Sequence, residues 1–210
     1  MMKLYGEPPT RALRVIWLVN ELGLKYEIVP VNILKGEHKQ EAFRAINPVG
    51  KVPVLVDGTA VLTESAAIQL YLADKNPQAG FIPASVEERG QMYRWIFFLV
   101  TEIEQPLWRI ARHTNIYPKE KRLYQDIELA TQECRQMVAV LEKQMANREF
   151  LVGDRLSVAD FNAAYTLDWA NESRMLDAAP RLQAFVKRMY ARPTAPATIA
   201  TALAALQSRM

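Results

Sequence analysis

The stretch Asn47-Pro48-Val49-Gly50-Lys51-Val52-Pro53-Val54-Leu55, followed at Leu62-Thr63 by Glu64-Ser65, holds the residues whose types and spacing best suit chemistry. Proline cannot donate to a sheet ladder, so Pro53 belongs at a strand's first residue or on an edge. An X-Pro bond can be cis, which would turn the backbone of Val52 outward. Its N–H and C=O would then pair with an extended peptide, as an added strand does. Glu64-Ser65 closes the next strand and opens the next helix. The free N–H groups and positive dipole end of a helix N-terminus attract a carboxylate. One element suits a peptide backbone and the other an anion, which predicts a site for a small acidic peptide.

The elements that must position this pair alternate in type. Met2 to Tyr5 reads as a strand and Thr10 to Leu22 as a helix that Gly23 stops. Tyr26 to Val31 is aromatic and β-branched, hence a strand, and Glu37 to Ile46 is a short helical stretch. Val52 to Val56 and Ala60 to Thr63 flank Asp57-Gly58, a hairpin signal, before a helix over Ser65 to Asp74. The order β-α-β-α-β-β-α predicts a mixed sheet with helices on its faces. Residues 77–84 carry Pro and Gly and read as a linker.

Beyond the linker only helical patterns follow. Ser85 to His113 predicts a long helix, begun by a Ser85-x-x-Glu88 capping box and kinked at Pro106. Glu120 to Met145 predicts another, with Cys134 on its apolar face. Ser157-x-x-Asp160 is a second capping box, with Leu156 stapled to Phe161. A helix entered at Pro180 and an Ala-rich one after Pro196 complete the chain. The domains are therefore 1–76, α/β, and 85–210, all-α.

Composition narrows the class. The 210 residues are half hydrophobic and about a quarter charged, with net charge +3, as in a soluble globular protein. Lys and Arg are scattered, so nucleic acid is not implied. No apolar run reaches the ~18 residues of a membrane span, and Met1-Met2-Lys3 leads straight into a strand, leaving no room for a signal peptide. A single cysteine excludes an internal disulfide and a cysteine-built zinc site, and fits a reducing cytoplasm.

Lys3-Leu4-Tyr5, Ile46-Asn47-Pro48-x-Gly50-Lys51-Val52-Pro53, Leu62-Thr63-Glu64-Ser65 and Val152-Gly153-Asp154-x-Leu156-Ser157-x-Ala159-Asp160 occur in that order. Together they resemble the soluble glutathione transferases over nearly the whole chain, and Gly36-Glu37-His38-Lys39 with Thr10-x-x-x-Arg14 is similar to bacterial members of the theta or serine type. The resemblance implies a thioredoxin-like domain followed by an all-helical domain that contributes the electrophile site. It also implies a cytoplasmic homodimer that conjugates glutathione to a hydrophobic electrophile in detoxification, with no metal. Val52, before cis Pro53, would pair with the cysteinyl part of glutathione. Ser65 and the adjoining amides would hold the γ-glutamyl carboxylate, with Glu64 near its amine. Lys51 and His38 would meet the glycyl carboxylate. Charge-assisted bonds of this kind contribute about 1.5–3 kcal/mol each.

A thiol with a pKa of about 8.5 is mostly protonated at neutral pH. A hydroxyl donating to sulfur and the dipole of a nearby helix both favour the thiolate. Thr10-x-x-x-Arg14 resembles the family's serine-x-x-x-arginine, with threonine for serine, so the catalytic expectation falls on Thr10. Tyr5, at the end of the first strand, is its rival. A helix cap alone also accounts for Thr10. Trp108 and Arg112, after Pro106, have two readings. They line the second-substrate pocket, or they belong to a basic helix end that complements the dipole. Two other activities stay open: a glutathione-dependent isomerase or dehalogenase, and a non-catalytic binding protein on the same fold.

Overall fold

The computed structural model describes residues 1–208. The chain divides into two compact units, one formed by Met1–Ile82 with the segment from Arg192 onward, the other by Pro83–Ala191. The first unit opens with β1 (Met2–Tyr5), α1 (Ala12–Glu21), β2 (Tyr26–Val29), α2 (Glu41–Arg44), β3 (Val54–Asp57), β4 (Ala60–Thr63) and α3 (Ser65–Lys75). The sheet order is β2-β1-β3-β4. β1 and β2 are parallel; β1 and β3, and β3 and β4, are antiparallel. This is the mixed sheet that the element order predicts.

Its core follows from the apolar periods. Leu4, Val54 and Leu55 are fully buried in the sheet. α1 buries Ala12 and Leu13 and every residue from Val15 to Val19, and it packs on α3, which buries Ile68 and Leu72. Each such aliphatic side chain contributes about 1.5–3 kcal/mol when removed from water. The helix expected over Glu37 to Ile46 is broken in two. A tight turn, Glu37–Lys39, precedes α2, and Gln40 between them is extended at ψ 151°. The Glu37 carboxylate accepts the Asn32 N–H at 2.6 Å, which ties the turn back to the preceding loop.

The second unit begins with α4 (Val86–Phe98), a π-helical stretch over Leu99–Glu104, α5 (Gln105–Ala111) and a further wide turn over Arg112–Ile116. At Pro106, where a kink is expected, the helix widens just before the proline. A wider turn accommodates a ring that has no N–H and crowds the carbonyl one turn back. Only half of the capping box at Ser85 forms. Ser85 Oγ accepts the Glu88 N–H at 3.2 Å, while the Glu88 carboxylate turns to Gly153. α6 (Tyr124–Gln144) starts later than the sequence suggests. Leu123 is extended there, and its N–H donates to His113 Nδ1 at 3.1 Å.

α7 (Val158–Glu172), α8 (Pro180–Tyr190) and α9 (Ile199–Gln207) follow. The full capping box at α7 is as expected: Asp160 accepts from Ser157 N at 2.8 Å, Ser157 Oγ at 2.9 Å and Leu151 N at 2.9 Å. The segment leading to α9 belongs to the first unit, where Arg192 and Thr194 both bond the Glu21 carboxylate at the end of α1. No helix among the described residues is long and apolar enough to cross a membrane.

Burial raises the Asp160 carboxyl from 3.8 to about 6, outweighing its hydrogen bonds from Leu151 and Ser157. A raised acid makes its stabilising contribution fully below the unfolded value and loses it as pH climbs through the folded one. The stability of the wild type relative to Asp160→Asn should therefore fall by up to about 3 kcal/mol between pH 4 and 7, measured by urea unfolding. A constant or rising difference would contradict this. Burial also pushes the Cys134 thiol up to about 12. It should resist alkylation at pH 8 in the native protein and react once the protein is unfolded.

Candidate functional site

The register of the sheet explains how the site assembles. Tyr5, the last residue of β1, faces Val29, the last of β2, and Val54, the first of β3. Val54 also faces Thr63, the last of β4. The chain after β1, the chain before β3 and the start of α3 therefore emerge at one end of the sheet. That end collects Gly6 to Thr10, Val52-Pro53 and Glu64-Ser65.

Val52-Pro53 is cis, and the ladder begins only at Val54, so Val52 stands outside it. Gly6 lies against it: a Cβ there would come within 3.0 Å of Val52 Cβ, and Gly6 has φ +119°. Asn47 organises the turn before it. Its buried side chain donates to the Lys51 carbonyl at 2.7 Å and accepts the Val49 N–H at 3.2 Å. Lys51 is thereby carried on a defined backbone with its side chain in solvent. Gly50, at φ +66°, passes under the tight turn that bears His38, and a Cβ on it would meet His38 O at 2.8 Å. This brings His38 and Lys51 to one loop cluster. Burial, and then the charge of Lys39, lower the His38 pKa, so the imidazole is neutral near pH 7. Its Nδ1 is buried with no hydrogen-bond partner among the described residues.

Glu64 has φ +65° and ψ 111°, a backbone conformation costing about 1–3 kcal/mol in a residue with a side chain. It stands as the N-cap of α3 with its side chain exposed, and the first amides of that helix follow it. Ser65 is only 4% exposed. Its Oγ accepts a hydrogen bond at 3.1 Å from Arg14 of α1, a residue 1% exposed.

Thr10 precedes α1. Its Oγ1 accepts the Ala12 N–H at 3.2 Å and donates to the Glu7 carbonyl at 2.7 Å. It is thus a cap whose hydroxyl hydrogen is held by a neutral acceptor. A thiolate is a charged acceptor and competes well for such a donor. The Tyr5 ring packs with Ile46 and Val52 on Val31, Phe43 and Val54, 6.4 Å from the Phe43 ring.

Trp108 and Arg112 lie in the second unit. The Trp108 ring meets Trp169 of α7 edge-on at 6.4 Å. Arg112 buries its Nε with no hydrogen-bond partner among the described residues. Two other basic side chains after Pro106 are engaged with α6: Arg109 Nε donates to Asp126 at 3.2 Å, and His113 Nε2 lies 3.3 Å from the same carboxylate. Among the described residues no group of three or more His, Cys, Asp or Glu is placed to hold a metal ion.

Three roles escaped the sequence reading. Arg14 and Asn47 appear there only as letters of a motif, and Gln69, whose Nε2 donates to the Arg14 carbonyl at 2.8 Å, does not appear at all. For Asn47 the signal existed, since Asn-Pro marks a turn whose Asn side chain bonds the backbone. An arginine inside an apolar helix carries no comparable sign of what it contacts.

Residues 1–74 match the model described as glutathione S-transferase, N-terminal domain, and residues 101–193 the corresponding C-terminal domain. Glutathione S-transferase 3 of Zea mays is 34% identical over 217 residues, covering 95% of this chain and 93% of the relative. Glutathione S-transferase F9 of Arabidopsis thaliana is 31% identical over 167 residues, 76% of each chain. Among solved structures, a glutathione S-transferase I bound with lactoylglutathione is similar with TM-score 0.78 at 30% identity, covering 92% of this chain and 96% of that one.

Gly50 and Gly58 both have positive φ, but only Gly50 has a neighbour in the way of a Cβ. Gly50→Ala should therefore destabilise the protein by at least about 1 kcal/mol more than Gly58→Ala in urea unfolding. Equal losses would show that the approach to His38 is relieved without cost.

Proposed function

The chain belongs to the glutathione S-transferase family, and we propose that it activates glutathione as a thiolate and adds it to an electrophilic, largely apolar small molecule. The observation that carries this reading is the meeting of Val52, the chain leading from β1 to Thr10 and the amide end of α3 at one end of the sheet. A backbone pairing site and an anion site at that spacing suit a short peptide with a carboxylate at its end. Residues 1–76 bind the peptide in this reading, and the helical domain from 85 contributes the electrophile site, with Trp108 and Arg112 in it. The reading includes a homodimer in a reducing cytoplasm.

The roles follow from chemistry. Val52 offers its N–H and C=O to the cysteinyl residue. Ser65 and the first amides of α3 bind the γ-glutamyl carboxylate, and Glu64 pairs with the amine. At the glycyl carboxylate Lys51 supplies the charge, and His38, neutral by burial, acts as a hydrogen-bond donor. Thr10 then turns its hydroxyl from the Glu7 carbonyl to the sulfur, and the positive end of α1 adds to the effect. Holding thiolate and electrophile together supplies much of the remaining acceleration. The narrower likeness to bacterial theta-type members rests on Gly36-Glu37-His38-Lys39 and on Thr10-x-x-x-Arg14. The relatives named above with an organism are plant proteins, so the reading keeps the hydroxyl at Thr10 and leaves the bacterial subclass aside.

Thiolate absorbance of bound glutathione against pH tests the central step. In the wild type the bound thiol should titrate below its free value of about 8.5. Thr10→Val should raise that pKa by at least about one unit, Thr10→Ser should preserve it, and Tyr5→Phe should leave it alone. A Thr10→Val protein with an unmoved thiol pKa overturns the assignment, and a shift confined to Tyr5→Phe transfers the role to the phenol.

A further inference from the structure

Resting on the glutathione reading, we propose that Arg14 is a positioning residue that sets the direction of the Ser65 hydroxyl and thereby selects for the γ-glutamyl carboxylate. A serine hydroxyl has one hydrogen and two lone pairs. Arg14 has no acceptor to offer, and its Nη1 donates to Ser65 Oγ at 3.1 Å. One lone pair is therefore committed inward, and the Ser65 hydrogen is left to point away from Arg14. Ser65 is the first residue of α3, so its hydroxyl stands among the leading amides that have no intrahelical partner. The result is a fork of donors that fits a carboxylate and disfavours a ligand group that itself donates.

Burial strengthens the effect. Arg14 is 1% exposed and Ser65 4% exposed, so the guanidinium acts through protein rather than through water. Its positive charge adds to the dipole of α3 at the helix end where an anion is favoured. Accepting a bond from a cation also polarises the hydroxyl and makes it a better donor. The placement of Arg14 is determined by its backbone as well. Gln69, fully buried one turn after Ser65, donates from Nε2 to the Arg14 carbonyl at 2.8 Å. α3 thus grips both ends of Arg14 with side chains four residues apart, which share one helix face. Arg14 also lies one turn after Thr10 in α1, so the contact fixes α1 against the helix that receives the carboxylate.

The test pairs protein variants with ligands. Dissociation constants are measured for glutathione and for its analogue lacking only the γ-glutamyl α-carboxylate. Arg14→Met and Ser65→Ala should each weaken glutathione about tenfold or more while changing the analogue less than about twofold. The double variant should be less than additive for glutathione, because the two residues act as one unit. In turnover with a generic aryl halide, KM for glutathione should rise with kcat changed by less than about twofold. Arg14→Lys replaces Arg14→Met if the latter does not fold. Its ammonium keeps the charge without the planar fork, and it should show the same selective loss at smaller size. Equal weakening of both ligands by the Arg14 variant, or strict additivity with Ser65→Ala, would reduce Arg14 to packing and overturn the proposal. A wild type that fails to bind glutathione removes the transferase reading itself.

Discussion

Val54 is paired on one side with Tyr5 and on the other with Thr63, and the geometry of the first unit depends on that double pairing. In an antiparallel sheet the start of one strand lies beside the ends of its neighbours. The chain leaving β1, the cis peptide entering β3 and the turn from β4 into α3 are therefore neighbours in space, although they are far apart in sequence. A one-residue slip would turn the buried Val54 and Leu55 to the wrong faces and disperse these segments. The apolar core of the sheet and the gathering of polar groups at its end are two outcomes of one register.

The polar residues around that end are held by other polar residues rather than left to solvent. Asn47 fixes the turn that carries Lys51, and Gly50 allows that turn to approach the backbone of His38. Arg14, Ser65 and Gln69 join α1 to α3 inside the protein. Such a network costs desolvation and returns it only when its hydrogen bonds are made. Its gain is a defined direction for each donor. Glu64, held at positive φ on the surface beside this network, carries backbone strain of the kind that clusters at binding sites. The second unit uses the same device for folding alone, where Asp160 is enclosed and satisfied by Leu151 and Ser157.

The elements were legible in the sequence to the extent that they are periodic or punctuated. The hairpin at Asp57-Gly58, the capping box at Ser157 and the entry of α8 at Pro180 depend on residues within a few positions of one another, so their local chemistry is visible in the letters. The Glu37 to Ile46 stretch was misread where a long-range contact intervenes, whereas the long helix expected through Pro106 is present and only its widening went unseen. The approach of Gly50 to His38 accompanies the divided helix, and the wider turns before Pro106 answer to the proline ring itself. For the divided helix the decisive neighbour is remote in sequence.

By itself the sequence determined the two-part architecture, the cis-prone Val52-Pro53 step, the helix start at Ser65 and the hydroxyl at Thr10. All of these follow from the intrinsic conformations of single residues and their immediate neighbours. Only the tertiary structure decided that Tyr5 packs on Phe43, that Arg109 and His113 turn to Asp126, and that Arg14 reaches Ser65. These side chains are long or aromatic, so each can meet several different partners. Which one it meets depends on the packing of whole helices and strands, which no local pattern records.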